Sequence, residues 1–167
     1  MRIAELLIPE YDAEIATTRR VLERVPDGRG EWKPHPRAFP LGHLAQLVAR
    51  LPGWAPMMMQ RTELDIAPAS GPQFPGYSFE TTATLLAEFE KNAAAARTAL
   101  ANASDDDFFV TWTLKKTGAV AMSGTRYLML RSMVLNHIVH HRAQLGLYLR
   151  MLDEKVPMMY GPTADEK

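Results

Sequence analysis

From Tyr127 to Tyr148 large side chains recur at helical spacing: Tyr127, Leu130, Val134, His137, His141, Leu145 and Tyr148. A stripe of that length commits the segment to a helix of roughly six turns with one face turned inward. Such a face needs other apolar helix faces to cover it, so the stripe already favours a helical bundle over a sandwich or a parallel sheet. It also carries an oddity. Two of its inward positions are imidazoles, and His140 lies beside them.

Three further segments supply covering faces. The first spans about Ile3 to Val25, with Pro9 expected to delay or bend it before the stop signal PDGRG. A second starts after Pro40, a residue suited to a first helical turn, and reaches about Arg61 with a kink expected at Pro52-Gly53. On it His43 shares a face with Leu47, Leu51 and Trp54. Ile66 to Tyr77 is rich in proline and glycine and reads as a loop, after which Ser78 or Thr81 caps an alanine-rich third helix. Asp105 to Asp107 read as a solvated turn. FFVTWTL alternates as a strand does, and KKTG turns it towards a second arm at Ala119 to Met122. Ser123 then caps the last helix, which runs to about Leu152.

The expected fold is therefore all-α, a four-helix bundle with a short β-hairpin before the last helix. It forms one domain over residues 1–160, with an irregular tail over 161–167. The chain's 167 residues suffice for one core. Nineteen basic and nineteen acidic side chains, with no basic stripe, argue against a nucleic-acid partner. There is no cysteine, which excludes disulfides, thiolate metal sites and a cysteine nucleophile. No apolar run is long enough for a membrane span. The N-terminal MRIAELLIPEYDAEI is broken by Glu5, Pro9 and Glu10, unlike an export signal, so a cytoplasmic location is expected.

His137 and His141 stand four residues apart and share a helical face, the spacing with which one helix offers two nitrogens to one metal ion. The common alternative is a pair of structural histidines. His43, also on an apolar face, adds a third imidazole that a bundle can bring to the other two. Three such ligands leave coordination positions open for water or substrate. His140 lies at the edge of the same face, as a neighbour of the site or a plain interfacial histidine. Gln144 could orient a nearby side chain or merely edge the helix. His35, between two prolines, reads as exposed and inert. Asp12 and Glu88 sit on helices able to face a pocket, though a solvated surface explains each as well.

Other chemistries lack their residues. No histidine has a glutamate three positions before it, as a carboxylate-bridged di-iron bundle needs, and Ile138 stands where a helical zinc protease carries glutamate. No glycine-rich phosphate loop or nucleophile elbow is present.

The segments GEWKPHPRAFPLGHLAQLV and HIVHHRAQLGLYLRMLDEKVPMMYGP, in this order, resemble the DinB-like superfamily (DinB/YfiT) over most of the chain. The resemblance implies an up-down-down-up bundle, often a homodimer. It also implies a divalent transition metal (zinc, nickel or iron) held by three histidines, which by position are His43, His137 and His141. Relatives implied by it include metal-dependent hydrolases and transferases that use a low-molecular-weight thiol. With no cysteine in the chain, any thiolate must arrive with a cosubstrate. The expected function is thus a metal-dependent enzyme of small molecules. The alternative is a metal-binding or interaction module without catalysis, its methionines (Met57 to Met59, Met129, Met133, Met151, Met158 and Met159) serving as an adaptable surface.

Overall fold

In the computed structural model, which describes residues 1–70 and 75–166, helix α1 (Ile3–Leu22) begins before Pro9 and continues past it. Proline removes the N–H that would bond the Glu5 carbonyl, but Pro9 and Glu5 are both exposed. Water can take the freed acceptor, so the helix continues. Glu5 reaches back to accept from the Arg2 N–H at 3.1 Å. Helix α2 (Leu41–Arg50) follows Pro40, and the expected break at Pro52-Gly53 is a 3-10 turn over Leu51–Gly53 that leads into α3 (Trp54–Gln60).

The expectation of an all-α four-helix bundle with a hairpin is corrected here. Three strands form a mixed sheet: β1 (Glu63–Asp65) pairs in parallel with β2 (Thr111–Lys116), which pairs antiparallel with β3 (Ala119–Thr125). The hairpin turns at Thr117 (φ 52°) and Gly118 (φ 78°), the two left-handed residues of a type I′ turn. Asp65 explains why β1 joins it. Its carboxylate accepts from the N–H groups of Thr117 at 3.0 Å and Gly118 at 2.7 Å, which binds the strand to the turn. Lys115 and Glu63 pair across the same ladder at 2.8 Å.

Helix α4 (Thr82–Asn102) begins at Thr81, whose hydroxyl accepts from the Thr84 N–H at 3.2 Å. The loop before it keeps its irregular form where described, and residues 71–74 of the expected loop lie outside the described residues. The aspartate run is not a solvated turn. Asp105–Phe109 form a short helix, α5, because Ser104 and Asp107 cap each other's backbone. Ser123 does not cap the last helix either, because it lies in β3, and Thr125 takes that role for α6 (Arg126–Leu130).

A π-helical turn over Arg131–Leu135 joins α6 to α7 (Asn136–Met151), with the Asn136 N–H reaching five residues back to the Arg131 carbonyl. The extra residue in that turn shifts the helical face. Tyr127, expected inside, is 41% exposed, whereas Met129, Leu130, Val134, Ile138, Leu145 and Leu149 are buried.

Helices α1, α4, α2 and α7 pack in a closed ring, α1 on α4, α4 on α2, α2 on α7 and α7 on α1. Two apolar clusters fill it, one holding Tyr11, Met58, Trp112 and Ile138, the other Val21, Leu44, Phe89 and Leu149. Small residues in α4 permit close approach: the Tyr11 hydroxyl donates to the Ala93 carbonyl at 2.9 Å. Met58 and Met129 are core residues, which is the ordinary use of the methionine run. Among the described residues no helix is long and apolar enough to cross a membrane.

Gly42 fixes the start of α2. A Cβ there would lie 2.4 Å from the Phe79 Cβ and 3.1 Å from the Gly30 Cα, so backbone would have to move. Gly42→Ala is expected to destabilise the fold by about 1–3 kcal/mol in urea denaturation. Gly146→Ala should lose much less, because its nearest neighbour, 2.6 Å away, is the flexible methyl end of Met159.

Candidate metal centre

The imidazole pair sits where α7 passes α2. On α2 the buried line is Leu41, Leu44, Ala45, Val48 and Ala49, and His43, Leu47 and Arg50 form a half-buried line beside it. On α7, Ile138, Arg142, Leu145 and Leu149 face the core, with His137 half-buried at its margin and His141 8% exposed. The histidines therefore occupy the rim of the core rather than its centre. That rim is where a bound ion can meet solvent or substrate.

His137 and His141 are brought together. Their Nε2 atoms are 2.9 Å apart and their ring centroids 4.6 Å apart. Behind His141, Gln144 Oε1 lies 2.8 Å from Nδ1, and Gln144 Nε2 lies 3.1 Å from His140 Nε2. With the Gln144 oxygen accepting, His141 carries its proton on Nδ1 and presents a lone pair at Nε2. The contact between the two rings is then donated by His137 Nε2. His137 is left with a bare Nδ1, buried and without a good hydrogen bond among the described residues, one turn from the Met133 carbonyl.

His137 and His141 are the residues that would hold a cation here, each through an imidazole nitrogen lone pair. Gln144 would be the outer partner that fixes the second imidazole, as such ligands usually require. Burial holds both imidazoles below the ordinary histidine value of 6.5, and their mutual repulsion lowers His137 further. Both are neutral at neutral pH, the state a metal ligand needs.

His43 is placed differently. Its ring is sandwiched between Phe39, at 4.4 Å and 13°, and Tyr77, at 3.9 Å and 19°. Burial first, then the charges of Arg50, His141 and Lys33, push its pKa down. His43 thus lies within electrostatic range of His141 but is not grouped with the pair. Among the described residues no three His, Cys, Asp or Glu side chains are arranged to hold an ion. The pair offers two neutral nitrogens of the kind an ion takes, and His43 stands apart from it.

The other candidates separate cleanly. Gln144 orients His141, and His140 is an exposed neighbour whose ring meets His141 edge-on at 4.8 Å. His35 is exposed, and its Nδ1 accepts from the Arg37 N–H at 3.1 Å, a turn-stabilising role. Asp12 is paired with Arg97 on the surface at 2.9 Å. Glu88 lines a cavity of about 480 Å3 that His137 also borders. On the other side, His141 and Gln144 border a pocket with Arg37, Phe39 and Tyr148.

Sequence reasoning missed Tyr77, because it lies in a loop and touches His43 only in three dimensions. It also missed Arg142, which is 1% exposed beside His141.

The DinB family model matches residues 17–167. Among solved structures, a DinB-like protein from Bacillus cereus is 19% identical, with 90% of this chain and 93% of that chain aligned and a TM-score of 0.64. A DinB-like protein from Bacillus subtilis is 13% identical, covering 92% and 97% of the two chains, with a TM-score of 0.67. No curated protein matches the chain. At these identities the structures speak for the fold alone, and the family model extends over all but the first sixteen residues. The chain belongs to the DinB family.

Proposed function

We propose that this chain is a metal-dependent enzyme acting on a small molecule, a hydrolase or a transferase that uses a low-molecular-weight thiol. His137 and His141 hold a divalent transition metal (zinc, nickel or iron), and His43 serves as third ligand. The observation that carries the reading is the facing Nε2 pair, braced by Gln144, with His137 bordering a cavity large enough for a substrate. When bound, such an ion acts as a Lewis acid that lowers the pKa of a water or thiol. The chain's own contribution is to hold the imidazoles neutral and oriented, and to present Tyr77 and Arg50 at the cavity wall. Glu88 is tied to Arg50 and Gln46, so it binds and positions rather than serving as a free base.

Elemental analysis of protein purified without a histidine tag is expected to find about one equivalent of zinc, nickel or iron per chain, the ratio for one catalytic site. Ester, amide and thiol-transfer substrates then separate the two reaction classes, with activity lost on chelation and restored by the metal. A protein that carries no metal and takes none up would overturn the proposal.

A further inference from the structure

The cavity beside His137 has a consistent chemical character. Its apolar wall comes from Leu47, Leu51, Trp54, Met57, Ile66 and Pro75. Arg50 and Glu88 are the formally charged residues among the described ones that line it, and they neutralise each other, Nε to Oε1 at 2.7 Å. Both groups make further hydrogen bonds. Arg50 Nη1 donates to the carbonyls of Gly76 at 2.9 Å and Pro75 at 3.3 Å, and Glu88 Oε2 accepts from Gln46 at 3.4 Å. Asn92 spends its amide N–H on the Ala49 carbonyl at 3.1 Å.

A ligand bringing a charge into this space would leave water for hydrocarbon walls and a guanidinium–carboxylate pair that has no surplus charge to offer. An uncharged apolar group loses nothing of that kind and gains from burial. At interior packing density the cavity of about 480 Å3 admits roughly 10 to 20 heavy atoms, allowing for its open side.

We infer that this cavity binds the uncharged, apolar body of the substrate, an aromatic or branched aliphatic group, with Met57 and Ile66 setting its size. Both side chains are half-buried on the wall, whereas Met58 beside them belongs to the core. Ile66 is held at its place by the sheet, its N–H donating to the Lys115 carbonyl at 3.0 Å. Met57 is unbranched and can adapt to the shape it meets. Calling the ligand a substrate rests on the metal-dependent reading above; its binding to the cavity does not.

Three probes with one ring system test this: 1-naphthol, 1-naphthoate and 1-naphthylmethylammonium, titrated by calorimetry into the full chain after chelator treatment. Naphthol is expected to bind at least about tenfold tighter than either ion, a difference that one uncompensated buried charge readily produces. Met57→Trp and Ile66→Trp should each weaken naphthol binding about tenfold by filling the space. Methyl-labelled methionine supplies a readout that needs no folded variant: naphthol should shift the Met57 methyl resonance and leave that of exposed Met151 in place. Equal affinity for the three probes, preference for an ion, or an unmoved Met57 methyl would each overturn the inference. A chain that takes up no metal but binds naphthol as expected overturns only the metal reading. One that takes up metal but does not bind naphthol overturns only this inference.

Discussion

His141→Ala should weaken zinc or nickel binding by at least about 100-fold and leave the fold standing. Loss of an outer partner alone typically costs about 10–100-fold in metal affinity, and loss of the ligand removes both the donor and what its partner orients. Gln144→Ala supplies the graded comparison. It leaves both imidazoles in place but frees the His141 ring, whose Nδ1 lies 2.8 Å from the amide oxygen, so a loss of about tenfold is expected. His35→Ala, in an exposed turn and with no bond to the pair, should bind as the parent does. Calorimetric titration of each variant measures these affinities, and circular dichroism melts check the fold. The melt of His141→Ala should stay close to the parent's, because the imidazole removed is a buried neutral group whose partners, His137 and Gln144, can both turn to solvent at the rim. If His141→Ala bound metal as tightly as the parent, the imidazole pair would be a structural hydrogen bond and nothing more.

The contrast between what could be read from the residues and what could not follows the range of the interactions involved. His137 and His141 were legible as a pair because a four-residue spacing on a helix is a local fact. The π turn just before them was not. One extra residue in the register leaves no compositional mark, and it is why Tyr127 is exposed although the spacing put it inside. Strand β1 was likewise invisible, since three residues, two of them acidic, are too few to mark an alternation, and they pair with Thr113 to Lys115 about fifty positions away. The fold class went wrong at that point. His43 reads from the spacing as part of the apolar face of α2, yet it is half-buried beside that face, and its nearest partners are Phe39 and a loop tyrosine that no helical spacing connects to it. Arg142 did have a signal. It lies on the line Ile138, Arg142, Leu145, Leu149, and Glu14 occupies the matching line Leu7, Tyr11, Glu14, Thr18, Val21 of α1. Opposite charges in the middle of two apolar stripes announce a buried pair.

That pair carries the second large effect. Arg142 Nη2 lies 2.7 Å from Glu14 Oε2, with the two side chains only 1% and 12% exposed. Arg142 Nη1 also donates to the Glu14 carbonyl at 3.0 Å and to the Thr18 hydroxyl at 3.1 Å. From the tail, the Tyr160 hydroxyl donates to Glu14 Oε1 at 2.7 Å, and its ring lies 5.3 Å from the guanidinium. The network thus fastens α1, α7 and the C-terminal segment at one level, between the two apolar clusters. Taking both charges out of water is costly, and their attraction does little more than offset it, so the pair adds little net stability over a well-packed apolar one. Removing one partner is another matter. Glu14→Gln strands a guanidinium in the core and should destabilise the protein by about 3–5 kcal/mol in urea denaturation. At this chain length a loss of that size lowers Tm by roughly 6–15 °C. The double variant Glu14→Leu with Arg142→Met, which removes both charges and keeps the volume, should recover most of the loss. Because Arg142 adjoins His141 on α7, Glu14→Gln should also weaken metal binding, and the double variant should restore part of it. A Glu14→Gln protein as stable as the parent would mean that solvent reaches Arg142 and that the ion pair is not what holds α7 against α1.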